Sequence, residues 1–253
     1  MIKFFKNLLK LNNESFKDKT NFKELICGKE IQKIFKSFNS YSKEAELRFV
    51  GGCIRKLIND EIVNDIDLTT NLKPQIVIEI LKNNNINFFE TGIDHGTITA
   101  VIDKISFEIT SLRKDVKTDG RHAQVEYTNN WLDDASRRDF TINAIYSDID
   151  GNLFDPFNGK QDLNNGLIKF IGDPAKRIKE DYLRILRYIR FFIDYSKHDH
   201  DEETIKLIKQ NLSGLKQVSK DRQLQELKKI LNTKNFNNIN SDKILKDLFL
   251  LVF

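Results

Sequence analysis

Asp65 and Asp67 are two residues apart in the run Asp65-Ile66-Asp67-Leu68-Thr69-Thr70, which reads as a strand. Alternate side chains of a strand share a face, so the two carboxylates stand together, roughly 6.6 Å apart at Cα. Like charges held that close favour a cation between them. Upstream, the apolar stretch Phe49-Val50 runs into Gly51-Gly52-Cys53-Ile54-Arg55, which ends ten residues before Asp65. Glycines let backbone N–H groups approach an anion, a helix starting at Cys53 adds its positive end, and Arg55 adds a full charge. An anion cradle beside a carboxylate pair is the equipment for a metal-bound nucleoside triphosphate.

Three further clusters extend this chemistry. Glu108, in Phe107-Glu108-Ile109-Thr110, sits on a strand whose apolar neighbours face the other side. As a third carboxylate it would complete a site for two Mg2+ ions, with Asp103 and Asp115 as rivals for that place. The second cluster is Arg137-Arg138-Asp139-Phe140-Thr141-Ile142-Asn143-Ala144. Asp139 and Asn143 are four apart and are expected on one helical face, suited to a ribose hydroxyl, with Arg138 suited to triphosphate oxygens. The third is Glu180-Asp181-Tyr182-Leu183-Arg184-Ile185-Leu186-Arg187. Cytosine and adenine each present an amino donor beside a ring-nitrogen acceptor, whereas uracil and guanine present a carbonyl beside an N–H. Asp181 accepting next to Arg184 donating therefore matches C and A. The plain alternative is an i,i+3 ion pair on a solvated helix face, worth ~0.2–0.5 kcal/mol.

The elements that must position these residues follow from periodicity. Strands are expected at Leu47–Val50, Asp65–Leu68, Asn87–Glu90, Thr97–Ile102, Ser106–Ser111 and Gln124–Tyr127. Helical spacing covers 23–38, and Pro74 opens a helix to about Leu81 that Asn83-Asn84-Asn85 ends. From Gly172-Asp173-Pro174 the strand signal stops. Asp173 caps a helix expected to run unbroken to about Phe192, followed by helices at Glu202–Asn211 and Asp221–Leu231 and an irregular Asn-rich stretch to Asn240. The fold class is α+β: a unit with a small mixed sheet over residues 1–171, with a helical extension over 1–40. An all-helical unit follows over 172–231, and a short apolar-ended segment over 232–253.

Composition bounds the rest. The chain has 253 residues, 40% of them hydrophobic, enough for a real core. Its 41 Lys and Arg against 37 acidic residues leave a net charge of +4, too mild to argue nucleic-acid binding by itself. Two cysteines, Cys27 and Cys53, make no disulfide framework and fit a reducing cytoplasm. Met1–Lys10 reads as a short amphipathic helix, and nothing approaches the ~20 apolar residues of a membrane span.

In this order the motifs resemble the class II CCA-adding tRNA nucleotidyltransferases, a family that includes bacterial poly(A) polymerases and falls in the polymerase-β-like superfamily. The resemblance runs over roughly residues 30–231. It rests on Gly51-Gly52-x-x-Arg55, Asp65-x-Asp67, His95-Gly96-Thr97 and Thr118-Asp119-Gly120-Arg121. It continues with Arg137-Arg138-Asp139 and Asn143-Ala144, Asp155-Pro156-Phe157-Asn158-Gly159, Glu180-Asp181-x-x-Arg184-x-x-Arg187, and Asp221-Arg222 before Glu226. It implies a catalytic head followed by a helical neck. Asp65 and Asp67 would hold the metals, and Gly51, Gly52, Arg55, Arg138 and Arg187 the triphosphate. Asp139 would contact the ribose, Asp181 with Arg184 would select the base, and Lys114–Gln124 would be a switching loop. The implied activity is transfer of CMP and AMP from CTP and ATP to a tRNA 3′ end, with the basic helix around Lys176, Arg177, Lys179 and Arg190 on the RNA. Lys56 stands where many relatives carry a carboxylate, and relatives usually continue into further helical domains. The apolar end Leu248-Phe249-Leu250-Leu251-Val252-Phe253 suits packing, a homodimer or a partner.

Rival readings keep the same motifs. CC-only, A-only or poly(A) addition shares all of them. A non-catalytic RNA-binding derivative would have no use for two repelling aspartates, and a small-molecule nucleotidyltransferase would have no use for Asp181 with Arg184.

Overall fold

The computed structural model describes residues 16, 19–117, 124–240 and 242–252. The helix expected over Met1–Lys10 and the loop motif Thr118–His122 lie outside them. The chain divides into two compact units, one of Met1–Lys114, Val125–Arg138 and Ile142–Lys160, the other of Asp115–Gln124, Asp139–Thr141 and Gln161–Phe253.

The first unit opens with helices α1 (Thr20–Ile26) and α2 (Lys29–Tyr41). The single helix expected over 23–38 is two, because Gly28 takes an extended backbone and becomes the N-cap of the second. Strand β1 (Leu47–Val50), helix α3 (Gly52–Ile58), strand β2 (Ile66–Thr70) and helix α4 (Pro74–Asn83) follow. Then come β3 (Asn87–Gly92), β4 (Thr97–Ile102) and β5 (Ile105–Ser111). A separate two-stranded ribbon pairs β6 (Arg113–Lys117) with β7 (Gln124–Tyr127). Helix α5 (Trp131–Ser136) and the short strands β8 (Tyr146–Ser147) and β9 (Leu153–Phe154) complete this part of the chain.

The main sheet has the order β3-β4-β5-β2-β1-β8-β9 and is mixed. Strands β2 and β5 run parallel, with Asp67 opposite Glu108, while the other pairs are antiparallel. Period-2 alternation sends Ile98, Ala100 and Ile102 of β4 and Phe107 and Ile109 of β5 into the core. Helix α4 buries Val77, Ile80 and Leu81 beside β3 and β4. Strands β8 and β9 escaped the sequence reading because two residues are too few for a period to show.

The second unit contains most of α6 (Gly159–Asn165), then α7 (Pro174–Glu180), α8 (Leu183–Tyr195), α9 (Glu202–Asn211), α10 (Lys220–Leu231) and α11 (Lys243–Val252). Asp173 caps α7 as expected, accepting from the Lys176 amide at 3.0 Å with Pro174 at the first helical position. The helix expected to run to Phe192 is interrupted. Asp181 is extended (φ −156°, ψ 104°) and its carboxylate accepts from the Leu183 amide at 3.1 Å, so it closes α7 and opens α8. The Tyr182 ring beside that break rests on Gly214, where a Cβ would come within 2.1 Å of it. Helix α8 is the centre of this unit, burying Leu183, Ile185, Leu186, Tyr188, Ile189, Phe191, Phe192 and Ile193. Phe140 and Phe170 pair across a β-bridge with ring centroids 4.7 Å apart, and Phe170 stacks on Tyr188. Of the apolar C-terminal stretch, Leu245 and Leu248 pack into this unit while Leu250 is 68% exposed.

One buried ion pair fastens α8 to α10: Arg190 donates through Nε to Glu226, and both side chains are largely out of solvent. Removing one member of a buried pair leaves an uncompensated charge, whereas replacing both with apolar groups does not. Glu226→Ala is expected to lower the unfolding free energy by about 3–5 kcal/mol, and the double substitution Arg190→Met with Glu226→Leu to recover most of it. Urea denaturation of the three proteins measures this, and equal losses for the single and double variants would show that packing rather than charge sets the loss.

Candidate active site

The polar machinery of the first unit gathers where β1 turns into α3. Gly51 has φ +67°, a conformation side chains with a Cβ avoid, and this turns the chain at once from strand to helix. A Cβ on Gly51 would meet Arg138 Nη1 at 3.6 Å, and one on Gly52 would meet Asp67 Oδ2 at 3.7 Å. The glycine pair therefore lies between a guanidinium and a carboxylate. Ile66 and Leu68 are buried, which turns Asp67 to the opposite face of β2.

The register sets Asp67 beside Glu108. Burial pushes the Asp67 carboxyl above the usual carboxylate range and Glu108 pushes it further. Arg138 pulls it back, Asp65 adds to the rise and Arg55 opposes it. Asp65 directly precedes β2. Among the described residues no three acidic, His or Cys side chains close into a ready metal-ligand set, and the register leaves Glu108 opposite Asp67. The rival of Glu108, Asp103, is excluded by position. With Lys104 it forms the two-residue tip of the β4–β5 hairpin, where both residues have positive φ. Asp115 falls in β6.

Arg55, on α3, is buried and donates through Nη1 to Asn143 Oδ1. Arg138 donates through Nη1 to the Asn143 carbonyl at 3.3 Å, so Asn143 serves both guanidiniums. Sequence reasoning missed the two residues behind Arg138. Asp134, wholly buried on α5, and the Tyr146 hydroxyl both hold its guanidinium. The signal was present in the i,i+3 and i,i+4 spacing of Asp134 to Arg137 and Arg138.

Asp139 and Asn143 do not share a helix face. Asp139 belongs to the second unit, where its main chain pairs with Ile171 and its carboxylate accepts from Arg187 Nε at 2.5 Å. The reason is the β-bridge of Phe140 with Phe170, which takes the backbone out of a helix there, and only Thr141–Asn143 form a single 3-10 turn. Burial lowers the Arg187 pKa, but Asp139 outweighs it and holds the guanidinium charged.

Asp181 and Arg184 are joined through the main chain, Arg184 N–H donating to the Asp181 carbonyl at 3.0 Å, but their side chains take other partners. Asp181 accepts from Arg222 Nη2 at 2.8 Å, and Arg184 donates to Glu180 at 2.9 Å and to the Arg177 carbonyl at 2.7 Å. Of the four basic residues expected on RNA, Lys176 and Lys179 are exposed on α7. Arg177 is buried against Glu180, and Arg190 is held by Glu226 with its guanidinium 4.1 Å over the Phe191 ring. Those two arginines serve the fold, because charge pairing and ring stacking draw them inward.

Known proteins place this arrangement. Residues 47–169 match the model of the poly(A) polymerase head domain. Human CCA tRNA nucleotidyltransferase 1, mitochondrial, is 47% identical over 197 residues, covering 77% of this chain and 45% of that protein. A CCA-adding enzyme of Lactobacillus helveticus is 40% identical over 187 residues, 73% of this chain and 46% of that enzyme. The solved structure of the Bacillus stearothermophilus CCA-adding enzyme in complex with CTP superposes with a TM-score of 0.74 at 26% identity, covering 92% of this chain and 58% of the other. The mixed sheet, the glycine turn and the aspartate pair thus define a head domain of the poly(A) polymerase class. The chain belongs to the family of CCA-adding tRNA nucleotidyltransferases and poly(A) polymerases, and it spans about half the length of the curated relatives it matches.

A raised Asp67 pKa means that the ionised carboxylate is disfavoured in the folded state. Stability tied to its proton is full below the ordinary aspartate pKa of about 3.9 and is lost as pH rises through the folded value. Asp67→Asn is therefore expected to melt higher than wild type in EDTA at neutral pH, with the gap closing in acid. Added MgCl2 should raise the wild-type melting temperature more than that of the variant. An unchanged gap across pH and an equal response to Mg2+ would remove the assignment.

Proposed function

We propose that the chain transfers nucleotidyl groups from CTP and ATP to a tRNA 3′ end, adding CCA and releasing pyrophosphate. The observation that carries this reading is the half-buried Asp67, set by strand register beside Glu108 and across the glycine turn from Arg138. The raised Asp67 pKa fits a site built for divalent cations, and Asp65 and Asp67 are the residues that would hold two Mg2+ ions. Bound magnesium supplies Lewis acidity to the attacking ribose hydroxyl and charge neutralisation to the pyrophosphate. The chain's own groups position and draw in the substrate. Gly51 and Gly52 leave space for phosphate oxygens, and Arg55, Arg138 and Arg187 attract the triphosphate. Asp139 and Asn143 meet the ribose. Preorganised charge and orientation provide most of the acceleration in such transfers.

Base choice rests on Asp181 and Arg184. Both are already held, by Arg222 and by Glu180, which supports a pair whose acceptor and donor edges are fixed before a base arrives. tRNA is gripped through its backbone by Lys176 and Lys179, so affinity falls as salt rises. The same reading places the protein in the cytoplasm, and a homodimer or partner contact through the C-terminal helix would use the exposed Leu250.

The test is to incubate the protein with Mg2+ and tRNA transcripts ending before CCA, with each nucleotide alone and with CTP and ATP together, and to resolve products at single-nucleotide length. Growth by three residues that then stops is the expected result. Arrest after two C residues, or tails of A alone, would move the activity to CC addition or poly(A) synthesis, and no growth from folded protein would overturn it. In the same assay Asp67→Ala should lose at least about 10²-fold in rate. Arg184→Ala should admit UTP and GTP while tRNA affinity holds, and unchanged selection would remove the base-template assignment.

A further inference from the structure

A single carboxylate of the first unit carries an unusual load. Asp134 is completely buried, yet its two oxygens accept from five donor groups. Oδ1 takes Arg137 Nη2 at 2.6 Å and Nε at 2.9 Å. Oδ2 takes the Tyr146 hydroxyl at 2.8 Å, Arg138 Nη2 at 3.1 Å and Arg138 Nε at 3.3 Å. The Tyr146 hydroxyl in turn accepts from Arg138 Nε at 2.9 Å, and its ring is held edge-on by Trp131 at 5.6 Å. The Nε–Nη2 edge of Arg138 is thus fixed from behind. Its remaining nitrogen, Nη1, reaches the Asn143 carbonyl and lies against the Gly51 turn.

We propose that Asp134, with Tyr146 beside it, is the positioning residue that aims Arg138 at the triphosphate subsite, so that it governs nucleotide affinity through that guanidinium. The partners support this: Asp134 holds both guanidiniums by ion pairs, and the Arg138 charge is also felt by Asp67 across the glycine turn, so the arginine is fixed between the two aspartates. Burial raises the Asp134 pKa, but Arg138 and Arg137 outweigh it and hold the carboxyl down at about 2, so it stays ionised through the working range. An arginine locked along one edge presents the other at a fixed angle and loses little side-chain freedom when phosphate binds.

The inference rests on the nucleotide reading above, and equilibrium binding of CTP with MgCl2, without tRNA, tests it apart from transfer. Asp134→Asn keeps the shape but turns an amide toward the arginines, and is expected to weaken CTP about tenfold, as loss of charged hydrogen bonds does. Arg138→Ala should weaken it similarly, and the double variant should bind no worse than Arg138→Ala alone. A merely structural role would lower the binding stoichiometry and leave the dissociation constant unmoved. An unchanged constant in Asp134→Asn, or an equal penalty in the Arg138→Ala background, overturns the proposal. If Asp134→Asn does not fold, Tyr146→Phe replaces it, with about a threefold loss and the same non-additivity expected. Wild-type protein that binds CTP but extends no tRNA would overturn the transfer activity and leave this cycle decisive, whereas failure to bind CTP would overturn both.

Discussion

Asp67 can be ionised in its half-buried place only because its surroundings are charged on both sides. Glu108 and Asp65 oppose the negative charge, while Arg138 and Arg55 support it, and burial adds to the opposition. The balance leaves the carboxyl above its ordinary range, so the protein carries an electrostatic strain at the place where β1 turns into α3. Everything nearby serves that balance. The glycine pair removes the side chains that would separate the guanidinium from the carboxylate, and Asn143 receives both Arg55 and Arg138. Cys53, beneath the turn, is pushed up to about 12 by burial with Asp67 adding to the rise, so it is a packed thiol and not a nucleophile.

The second unit solves a related problem with arginines. Arg177, Arg184, Arg187, Arg190 and Arg222 each meet a carboxylate: Glu180, Glu180, Asp139, Glu226 and Asp181. A planar fork with several donors can satisfy a partly buried carboxylate and still lie along aromatic rings, as Arg190 does over Phe191. The helices are packed by aromatic residues and registered by these pairs, so local disturbance of one pair reaches its neighbours through shared partners such as Glu180.

Much of this was legible in the sequence. Strands β1, β4 and β7 lie where alternation placed them, as does helix α9, and the Asp173-Pro174 cap opens a helix as written. Asp67 and the glycine turn could be read because their placement follows from alternation along one strand and from one turn, whereas Asp65 falls just before that strand. What could not be read depended on partners distant in sequence. Asp139 was assigned to a helix because its i,i+4 neighbour is Asn143, but pairing with residues 169–171 overrides local spacing. Asp181 was read into a helix because the apolar stripe continues through it, and the cap it forms for Leu183 competes successfully with that stripe. Asp134 has no role in the sequence reading, which places no helix there. It is buried and bonded to the Tyr146 hydroxyl, a partner that no periodicity in Leu132-Asp133-Asp134 announces.

The parallel pairing of β2 with β5 has a consequence in time. Asp67 and Glu108 lie 41 residues apart, and two parallel strands can join only after the chain between them has looped back. Here that chain carries α4, β3 and β4, which must themselves be seated before β5 reaches β2. Pairings of this kind form slowly, because the entropy of closing the loop is lost before contacts reward it. The mutually repelling acids are therefore brought together only after the chain has looped back through these elements, and the strands on either flank hold them there. A chain arrested before that step would hold Asp67 without Glu108 beside it, so the upward push that Glu108 gives the Asp67 carboxyl would report that the two strands have joined.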